Sequence, residues 1–598
     1  MLTHVLALLF SASPLSVSEL ARDPEWLGLL HSQKTSDGLK SSELELESFL
    51  KAIRSSTKID DEHPICKFPA RLAWVTAKGA FSASENIFKN CPKFTKWSTA
   101  IAAQSVSVVF SSYYMNNPSS AFGHTFLRLN KGMGATGGER LELLDYGINY
   151  AANIDTTNAL LYGIKGLFGF FDGSFTSLPY YFKVREYADF ESRDLWSYDL
   201  NLNPWQVQQL VRHLWELGSS RYQYLYLSKN CSFYVVHALN AIAPEYGLAD
   251  RLKWYVLPSD SLKVIQDTPN LVSRISFRAS ARTQFLQRLN FLSHEEKRNL
   301  RNRLQDFEAE AALKSPDREA RLLDAGADYF DFRFASDLQN ENSRAAKLKK
   351  FWLQKRAEIL SPSPALESKI WLKVTPDQGH GSLRASFSGG RDSHGESYLE
   401  VGFRGAFHDL LDRLEGYPES AEIEFFNFSF RNYWAQQKFR LTDATLFKAF
   451  SISPISQFEV SPSWRMHVFA SSSQSRSCDF CISGTGETAG GFTLNLGSAT
   501  LPVLWYSLAS VQIEGSPRFR KHSVILSAGP ETGLRFSWSQ RHLSLLTAVS
   551  RYKVFFQEWE QFYSARHRSS ISDSLAVEAR VSESERSIDY GLGFFFYF

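Results

Sequence analysis

Two side chains, Cys231 and His124, have the types and local settings that nucleophilic catalysis requires. Cys231 opens the apolar stretch Cys231–Leu239, which predicts a helix beginning at the cysteine. The positive end of a helix dipole and a neighbouring histidine can lower a thiol pKa from about 8.5 to roughly 3.5–7.5, so we expect a thiolate at neutral pH. His124 stands where a turn enters an alternating strand. Together they form the two parts of a papain-like site.

The order of the two residues is the reverse of papain's, because His124 precedes Cys231 by 107 positions. The pair therefore requires a circularly permuted papain-like fold. The alternative is a buried structural cysteine, which is the commoner fate of a lone cysteine.

A third group should orient the imidazole of His124 through its second ring nitrogen. Asn149 is the first candidate because it lies on the strand expected to follow that of His124, and Asp145 is the rival. The backbone amides of Cys231 and Ser232, unpaired at a helix start, are expected to form part of an oxyanion hole.

The elements that must position these residues form a mixed α+β domain. Apolar spacing predicts helices over Pro24–Leu30, Glu43–Ile53, Pro204–Leu217 and Ser232–Ala243. β-Branched and aromatic content predicts strands within Ser105–Leu129 and Leu141–Tyr150. The glycine-rich and aromatic-rich segment Gly163–Tyr181 is predicted to be a loop region.

The last third of the chain alternates apolar and polar residues in the manner of an outer-membrane β-barrel. The final stretch places Tyr590, Leu592, Phe594 and Phe596 on one face and runs to Phe598. The same alternation recurs upstream, and from about Ile370 the length suits about 12 antiparallel transmembrane strands. A soluble β-sandwich is the alternative. Upstream segments with this alternation are Tyr398–Phe407, Phe426–Arg431, Trp464–Ala470, Leu534–Ser539 and Ser574–Val581.

Composition limits the remaining possibilities. A length of 598 residues predicts two or three domains, and a net charge of +3 gives no electrostatic footprint for nucleic acid. No run of 18 apolar residues occurs, so no conventional helical span is predicted. Met1–Ser18 is expected to be a signal peptide, although it lacks a basic residue before its apolar core; a first helix of the mature protein is the alternative.

Five cysteines are consistent with an oxidising compartment. Cys66 can pair with Cys91, and Cys478 with Cys481, which leaves Cys231 alone. The Cys478–Cys481 spacing has no second ligand pair nearby, so zinc is not expected.

Several segments together resemble the Lnb-type lipoprotein N-acyltransferases over about Asp23–Ser259. The matching segments are Asn117-Pro118-x-Ser120-x-Phe122-Gly123-His124-Thr125-Phe126-Leu127-Arg128, Tyr146-x-Ile148-Asn149-Tyr150-Ala151-Ala152, Gly163-x-x-Gly166-Leu167-Phe168-Gly169, Pro179-Tyr180-Tyr181, Arg193-Asp194-Leu195-Trp196 and Asn230-Cys231-Ser232.

The resemblance implies a periplasmic cysteine–histidine enzyme that needs no cofactor or metal. Cys231 would take an acyl chain from a phospholipid as a thioester, and His124 would then activate an amine, such as a lipoprotein N-terminus. Leu160–Phe171 is expected either to line an acyl groove or to pack as ordinary core. The well-known members of this family carry helical membrane segments, whereas this chain has a predicted barrel.

The resulting prediction is an outer-membrane protein with a periplasmic catalytic domain. Its parts are a signal peptide at 1–18, a helical lead-in at 19–100, the catalytic domain at 101–275, a solvated helical spacer at 276–365 and the barrel at 366–598. The alternatives are a cysteine hydrolase (a lipase or amidase) with the same site, and a non-enzymatic channel or scaffold with a periplasmic binding domain.

Overall fold

The structure is a computed structural model of the chain. It describes residues 16–30, 36–55, 58–84, 87–113, 122–132, 142–156, 158–366, 374–434, 438–475, 478–498, 500–519, 523–584 and 587–598. The chain divides into two compact units. The first comprises Met1–Tyr114, Pro118–Phe291 and Lys314–Ser368, and the second comprises Met115–Asn117, Leu292–Leu313 and Lys369–Phe598.

The first unit begins with a helical layer that has its own apolar core. Trp26 and Trp74 are fully buried in this core, with ring centroids 5.1 Å apart. The predicted disulfide between Cys66 and Cys91 is present, with a Cα–Cα distance of 5.3 Å. The predicted signal segment falls largely on residues 1–15, outside the described residues, and stays a prediction. The helices are α1 (Val17–Leu20), α2 (Pro24–Leu29), α3 (Ser36–Arg54), α4 (Pro64–Lys67), α5 (Pro69–Ala77) and α6 (Pro92–Ile101).

A seven-stranded antiparallel sheet follows, in the order β6-β4-β3-β2-β1-β5-β7. Its central pairs place Ser111 opposite His124 and Leu127 opposite Ile148. The helices α9 (Pro204–Gly218) and α10 (Cys231–Ile242) share an apolar core with the sheet. The strands are β1 (Ser105–Ser111), β2 (His124–Asn130), β3 (Tyr146–Ala152), β4 (Phe171–Pro179), β5 (Leu195–Leu200), β6 (Arg221–Tyr224) and β7 (Val272–Arg278).

The loop predicted over Gly163–Tyr181 is wrong. The segment contains most of helix α7 (Ala159–Phe168), strand β4 and the start of α8 (Tyr180–Val184). Tyr162 of α7 packs on Tyr226 at 5.6 Å between ring centroids, and the Tyr226 ring occupies the space that a side chain at Gly166 would fill. Gly166 therefore permits close packing instead of breaking the helix.

The charged segment after β7 is helical, as predicted, and it also buries apolar side chains. Trp352 and Phe330 are buried, and Arg288 pairs with Asp328 at 3.1 Å. Among the described residues, no helix is long and apolar enough to cross a membrane. The remaining helices are α11 (Pro258–Gln266), α12 (Ala281–Asn290), α13 (His294–Gln305), α14 (Pro316–Arg333) and α15 (Arg344–Ala357).

The second unit contains a closed barrel of 12 antiparallel strands, which confirms the predicted barrel and overturns the sandwich alternative. Apolar side chains such as Val468 and Leu592 are exposed on the outside, while Arg404, Glu578 and other charged side chains are buried. The strands are β8 (Arg384–Asp392), β9 (Ser397–His408), β10 (Ala421–Tyr433), β11 (Lys438–Ser451), β12 (Ser463–Ser475), β13 (Cys478–Asn495), β14 (Val503–Gly515), β15 (Val524–Ser537), β16 (His542–Lys553), β17 (Glu558–Ser570), β18 (Leu575–Ser584) and β19 (Ile588–Tyr597).

The segment between β9 and β10 packs against side chains of several barrel strands. Leu410 and Leu411 are buried in one cluster with Tyr506 of β14. Asp412 accepts hydrogen bonds from Arg404 at 2.7 Å and Arg568 at 2.5 Å. Beside this segment lies a cavity of about 630 Å³ lined mostly by charged and polar side chains. Buried ion pairs of this kind hold a segment firmly only when each charge keeps its partner.

Candidate active site

Cys231 is the first residue of α10, as the sequence predicts, and its thiol is free and buried. The helix starts here because Asn230 caps it: Oδ1 of Asn230 accepts from the N–H groups of Ser232 at 3.1 Å and Phe233 at 3.3 Å. The amide nitrogen of Asn230 donates to the carbonyls of Tyr226 at 2.9 Å and Val256 at 2.6 Å. One asparagine therefore fixes the loop and the helix start that carry the sulfur.

The expectation that the amides of Cys231 and Ser232 are both unpaired is wrong. The Ser232 N–H is taken by the Asn230 cap. The Cys231 N–H is hydrogen-bonded to the hydroxyl of Tyr224, a buried residue of β6. Burial raises the pKa of Tyr224 well above its usual value, so the phenol stays protonated and can donate a hydrogen bond.

His124 is the first residue of β2, and its Nε2 contacts Oδ1 of Asn149 on the adjacent strand β3. With the amide oxygen as acceptor, Nε2 carries the proton and Nδ1 keeps a lone pair. The rival, Asp145, accepts from the backbone N–H of Lys131 at 2.7 Å and lies 3.7 Å from Arg128. The first part of the motif that precedes His124, residues 114–121, lies outside the described residues.

The structure brings the cysteine to the strand that carries the histidine. The backbone N–H of Thr125, the residue after His124, forms a hydrogen bond to the sulfur of Cys231. Tyr187 borders the site from another side, with its ring centroid 5.8 Å from that of His124. Arg193 lies 4.9 Å from the Tyr187 ring and donates to the carbonyl of Ser112 at 2.6 Å.

The electrostatics oppose the expected standing thiolate. Burial raises the pKa of the Cys231 thiol, and this effect exceeds the opposing hydrogen bonds from Thr125 and Ser232. Burial also lowers the pKa of the His124 imidazole to about 3, which the bond to Asn149 only partly offsets. At neutral pH the pair is therefore a neutral thiol beside a neutral imidazole.

Neither Tyr224 nor Tyr187 was identified from the sequence. Tyr222, Tyr224 and Tyr226 recur at every second position shortly before Cys231, which was the available signal. Tyr187 lies in a π-helical turn, Arg185–Phe190, and no local pattern connects it with His124.

One cluster in the second unit has the residue types of a metal site: His380, His408 and Asp412. Its geometry is that of a hydrogen-bonded pair instead. The nitrogens of the two imidazoles are 3.0 Å apart while the ring centroids are 5.4 Å apart, so the nitrogens point at one another. Both oxygens of Asp412 already accept hydrogen bonds from arginines. These groups are therefore not arranged to converge on a cation.

Comparison with family models shows which known domain the sheet-containing region resembles. Residues 93–268 match the model of the Lnb N-terminal periplasmic domain. This confirms the resemblance seen in the sequence, and the matched region, here called the Lnb-like domain, contains Cys231, His124 and Asn149. Two further models, each described as a domain of unknown function, match residues 373–597 (DUF7840) and 18–78 (DUF7843). No curated protein matches the chain.

Solved structures with similarity to the chain are outer-membrane barrels. The KdgM porin is 7% identical, with 36% of this chain and 99% of that chain covered and a TM-score of 0.22. An outer membrane channel from Pseudomonas putida F1 is 8% identical, with 37% and 96% covered and a TM-score of 0.25. At such low scores the barrel assignment rests on the strand pairing of this chain alone.

The barrel and the Lnb-like domain together fit one location. A closed antiparallel barrel with an apolar exterior and a charged interior is the form in which strands cross a membrane. The Lnb-like domain matches a periplasmic domain. The chain therefore fits an outer-membrane protein with its N-terminal domain in the periplasm, where the match suggests a function in lipoprotein modification.

Proposed function

We propose that this protein is a thiol-dependent acyltransferase that moves an acyl chain from a phospholipid to an amine, such as a lipoprotein N-terminus. The observation that carries the proposal is the placement of a buried free thiol, Cys231, at a capped helix start against the strand of His124. Oδ1 of Asn149 accepts a hydrogen bond from Nε2 of that imidazole. The catalytic roles of Cys231 and His124 and the positioning role of Asn149 are part of the proposal, as is the permuted papain-like assignment of the domain.

In the first half-reaction, Nδ1 of His124 takes the thiol proton as Sγ of Cys231 attacks the ester carbonyl carbon. The neutral resting pair suits this order, because the proton moves only when the ester is in place. As the C–O bond breaks, His124 returns the proton to the departing oxygen. The products are the Cys231 thioester and a lysophospholipid alcohol.

In the second half-reaction, the amine attacks the thioester carbonyl and His124 removes a proton from the amine nitrogen. The C–S bond breaks, the sulfur regains a proton, and an amide forms. The oxyanion of both steps would accept a hydrogen bond from the hydroxyl of Tyr224, whose oxygen holds the Cys231 N–H at the helix start. A water molecule in place of the amine would give the hydrolase alternative.

The test uses the full-length protein in nanodiscs of phosphatidylethanolamine and phosphatidylglycerol, followed by intact-mass spectrometry. The expected result is a hydroxylamine-sensitive acyl adduct that is absent in Cys231→Ala and strongly reduced in His124→Ala. A His237→Ala variant is the control, since His237 lies within α10 against Phe233, with ring centroids 4.1 Å apart. A diacylated lipoprotein peptide should then remove the adduct and gain its mass. Release as free fatty acid would favour hydrolysis, and no adduct would leave the scaffold alternative.

A further inference from the structure

Helix α7 exposes an apolar face that the folded domain does not cover. Leu161, Ile164 and Phe168 follow the spacing i, i+3 and i+7, which places them on one side of the helix. Their exposed fractions are 44%, 43% and 66%, and Phe170, just after the helix, is 68% exposed. Side chains of this size are seldom exposed together on a soluble surface unless the patch binds something.

The opposite side of α7 is fixed to the domain. Tyr162 packs on Phe171 at 5.7 Å between ring centroids, and the carbonyl of Gly166 accepts the N–H of Tyr226 at 3.0 Å. The only charged side chain of α7, Lys165, is held by Asp155 at 2.6 Å. One side of α7 is therefore packed against the domain, and the helix presents its apolar face outward while its charged side chain is paired.

The attachment point lies beside the candidate nucleophile. The segment Leu225–Asn230 leads directly into Cys231, and Gly166 and Gly169 of the α7 region contact Tyr226 and Leu225 of this segment. Trp254, which is 72% exposed, lies two residues before Val256, whose carbonyl accepts from the Asn230 side chain. Exposed apolar groups thus border the loop that carries the thiol.

We infer that the α7 face, defined as Leu161, Ile164, Phe168 and Phe170, is a bilayer-binding surface that inserts into the interfacial region of phospholipid. Three observations favour lipid over a protein partner. The face is apolar without specific polar groups, it carries no unpaired charge that would select a complementary partner, and the same chain contains a closed barrel of the kind that crosses a membrane. The inference does not depend on the thiol chemistry.

The test places an environment-sensitive fluorophore on the full-length protein in nanodiscs that hold one chain each. Cys231→Ala removes the native free thiol, so no thioester can form and any lipid contact is non-covalent. The probe is attached at Phe168→Cys or Ile164→Cys, with Leu44→Cys as the matched control, because Leu44 is 64% exposed on α3. Lipids with nitroxide-labelled acyl chains then quench probes that enter the bilayer.

We expect about twofold or greater quenching at positions 168 and 164, with a blue-shifted emission, and little change at position 44. Quenching should persist in about 0.5 M NaCl, because the face is uncharged and salt does not screen apolar contacts. Equal, water-like emission at all three positions would overturn the inference, and so would equal quenching at all three. A shift that appears only on adding lipoprotein, with no nitroxide quenching, would assign the face to a protein partner instead.

Removing the α7 face should impair acylation in a different way from a defect in the thiol reaction itself. Replacing the four side chains of the α7 face by serine is expected to reduce Cys231 acylation from nanodisc lipid roughly tenfold more than acylation by a detergent-dispersed phospholipid. Equal loss in both lipid forms would indicate a folding or catalytic defect and would contradict a docking role. The matched control replaces Leu44, Trp205 and Leu353, which are exposed elsewhere.

Discussion

Removal of the Asn149 amide tests whether the imidazole of His124 needs a fixed orientation. Asn149 is 7% exposed, and its Oδ1 contacts Nε2 of His124. In Asn149→Ala, the ring loses its acceptor and can adopt the other tautomer, in which Nδ1 holds a proton and cannot act as a base. Loss of one hydrogen bond of this kind costs about 1–3 kcal/mol, so the rate of Cys231 acylation should fall about 5- to 150-fold.

Asn149→Asp separates orientation from packing. A carboxylate keeps an acceptor at the same position and also stabilises the imidazolium, so the pKa of His124 should rise from about 3. Because His124 must be neutral to accept the thiol proton, the acid limb of the acylation profile should move to higher pH, while most of the rate is retained near pH 8. A variant with altered packing alone would not shift this limb.

The assay is single-turnover acylation of the full-length protein in nanodiscs, with a phospholipid that carries a fluorescent acyl chain, from pH 4 to 9. Asn153→Ala is the control, because Asn153 is exposed just beyond the end of the same strand. Acylation of Asn149→Ala within twofold of the unmodified protein would refute the reasoning. The unmodified protein should show no acid limb above pH 4, and its absence from Asn149→Asp as well would refute the electrostatic part.

Three further predictions follow from the packing and the charges. Cys231 should react slowly with iodoacetamide at neutral pH and faster only in alkaline solution, because burial raises the pKa of its thiol; rapid alkylation in mildly acidic solution, measured by peptide mass, would contradict the neutral pair. Gly166→Ala should lower the free energy of unfolding by about 1–3 kcal/mol in thermal melts, since the added Cβ would lie 2.3 Å from the Tyr226 ring; an unchanged melting temperature would contradict this packing. Asp412→Ala should destabilise the barrel by about 3–5 kcal/mol, seen as a lower transition temperature in heat-modifiability gels, because Arg404 and Arg568 lose a buried partner; Glu583→Ala, at an exposed position on β18, serves as control.

Much of the fold was predictable because its signals are local and periodic. Segments of β9, β10, β12, β15, β18 and β19 alternate apolar and polar residues, so Val401 and Glu400 could be assigned to opposite faces of the barrel without any knowledge of strand pairing. Helix α10 was predicted from the apolar run that begins at Cys231, and the Asn230 cap became visible only in the structure. Helix α7 was missed because Gly163 and Gly166 suggest a turn, whereas Gly166 is needed for contact with Tyr226.

The details of the candidate site depend on contacts between distant segments. The sequence left Asn149 and Asp145 both open, and only the register that sets Leu127 opposite Ile148 places the Asn149 side chain against His124. Local rules about helix starts predicted a lowered thiol pKa for Cys231, but the pKa depends on how much water the whole domain removes. Tyr224 was missed for the same reason, because its hydroxyl meets Cys231 only in the folded domain.

The most direct measurement is peptide mapping of the acylated protein. Full-length protein is incubated in phospholipid nanodiscs, digested at low pH to preserve thioesters, and examined by tandem mass spectrometry. A hydroxylamine-labile acyl group on the peptide that contains Cys231, formed in the unmodified protein and nearly absent in His124→Ala, is the predicted result. An unmodified Cys231 in every preparation, or an acyl group that forms equally well without His124, would contradict the proposed thiol chemistry.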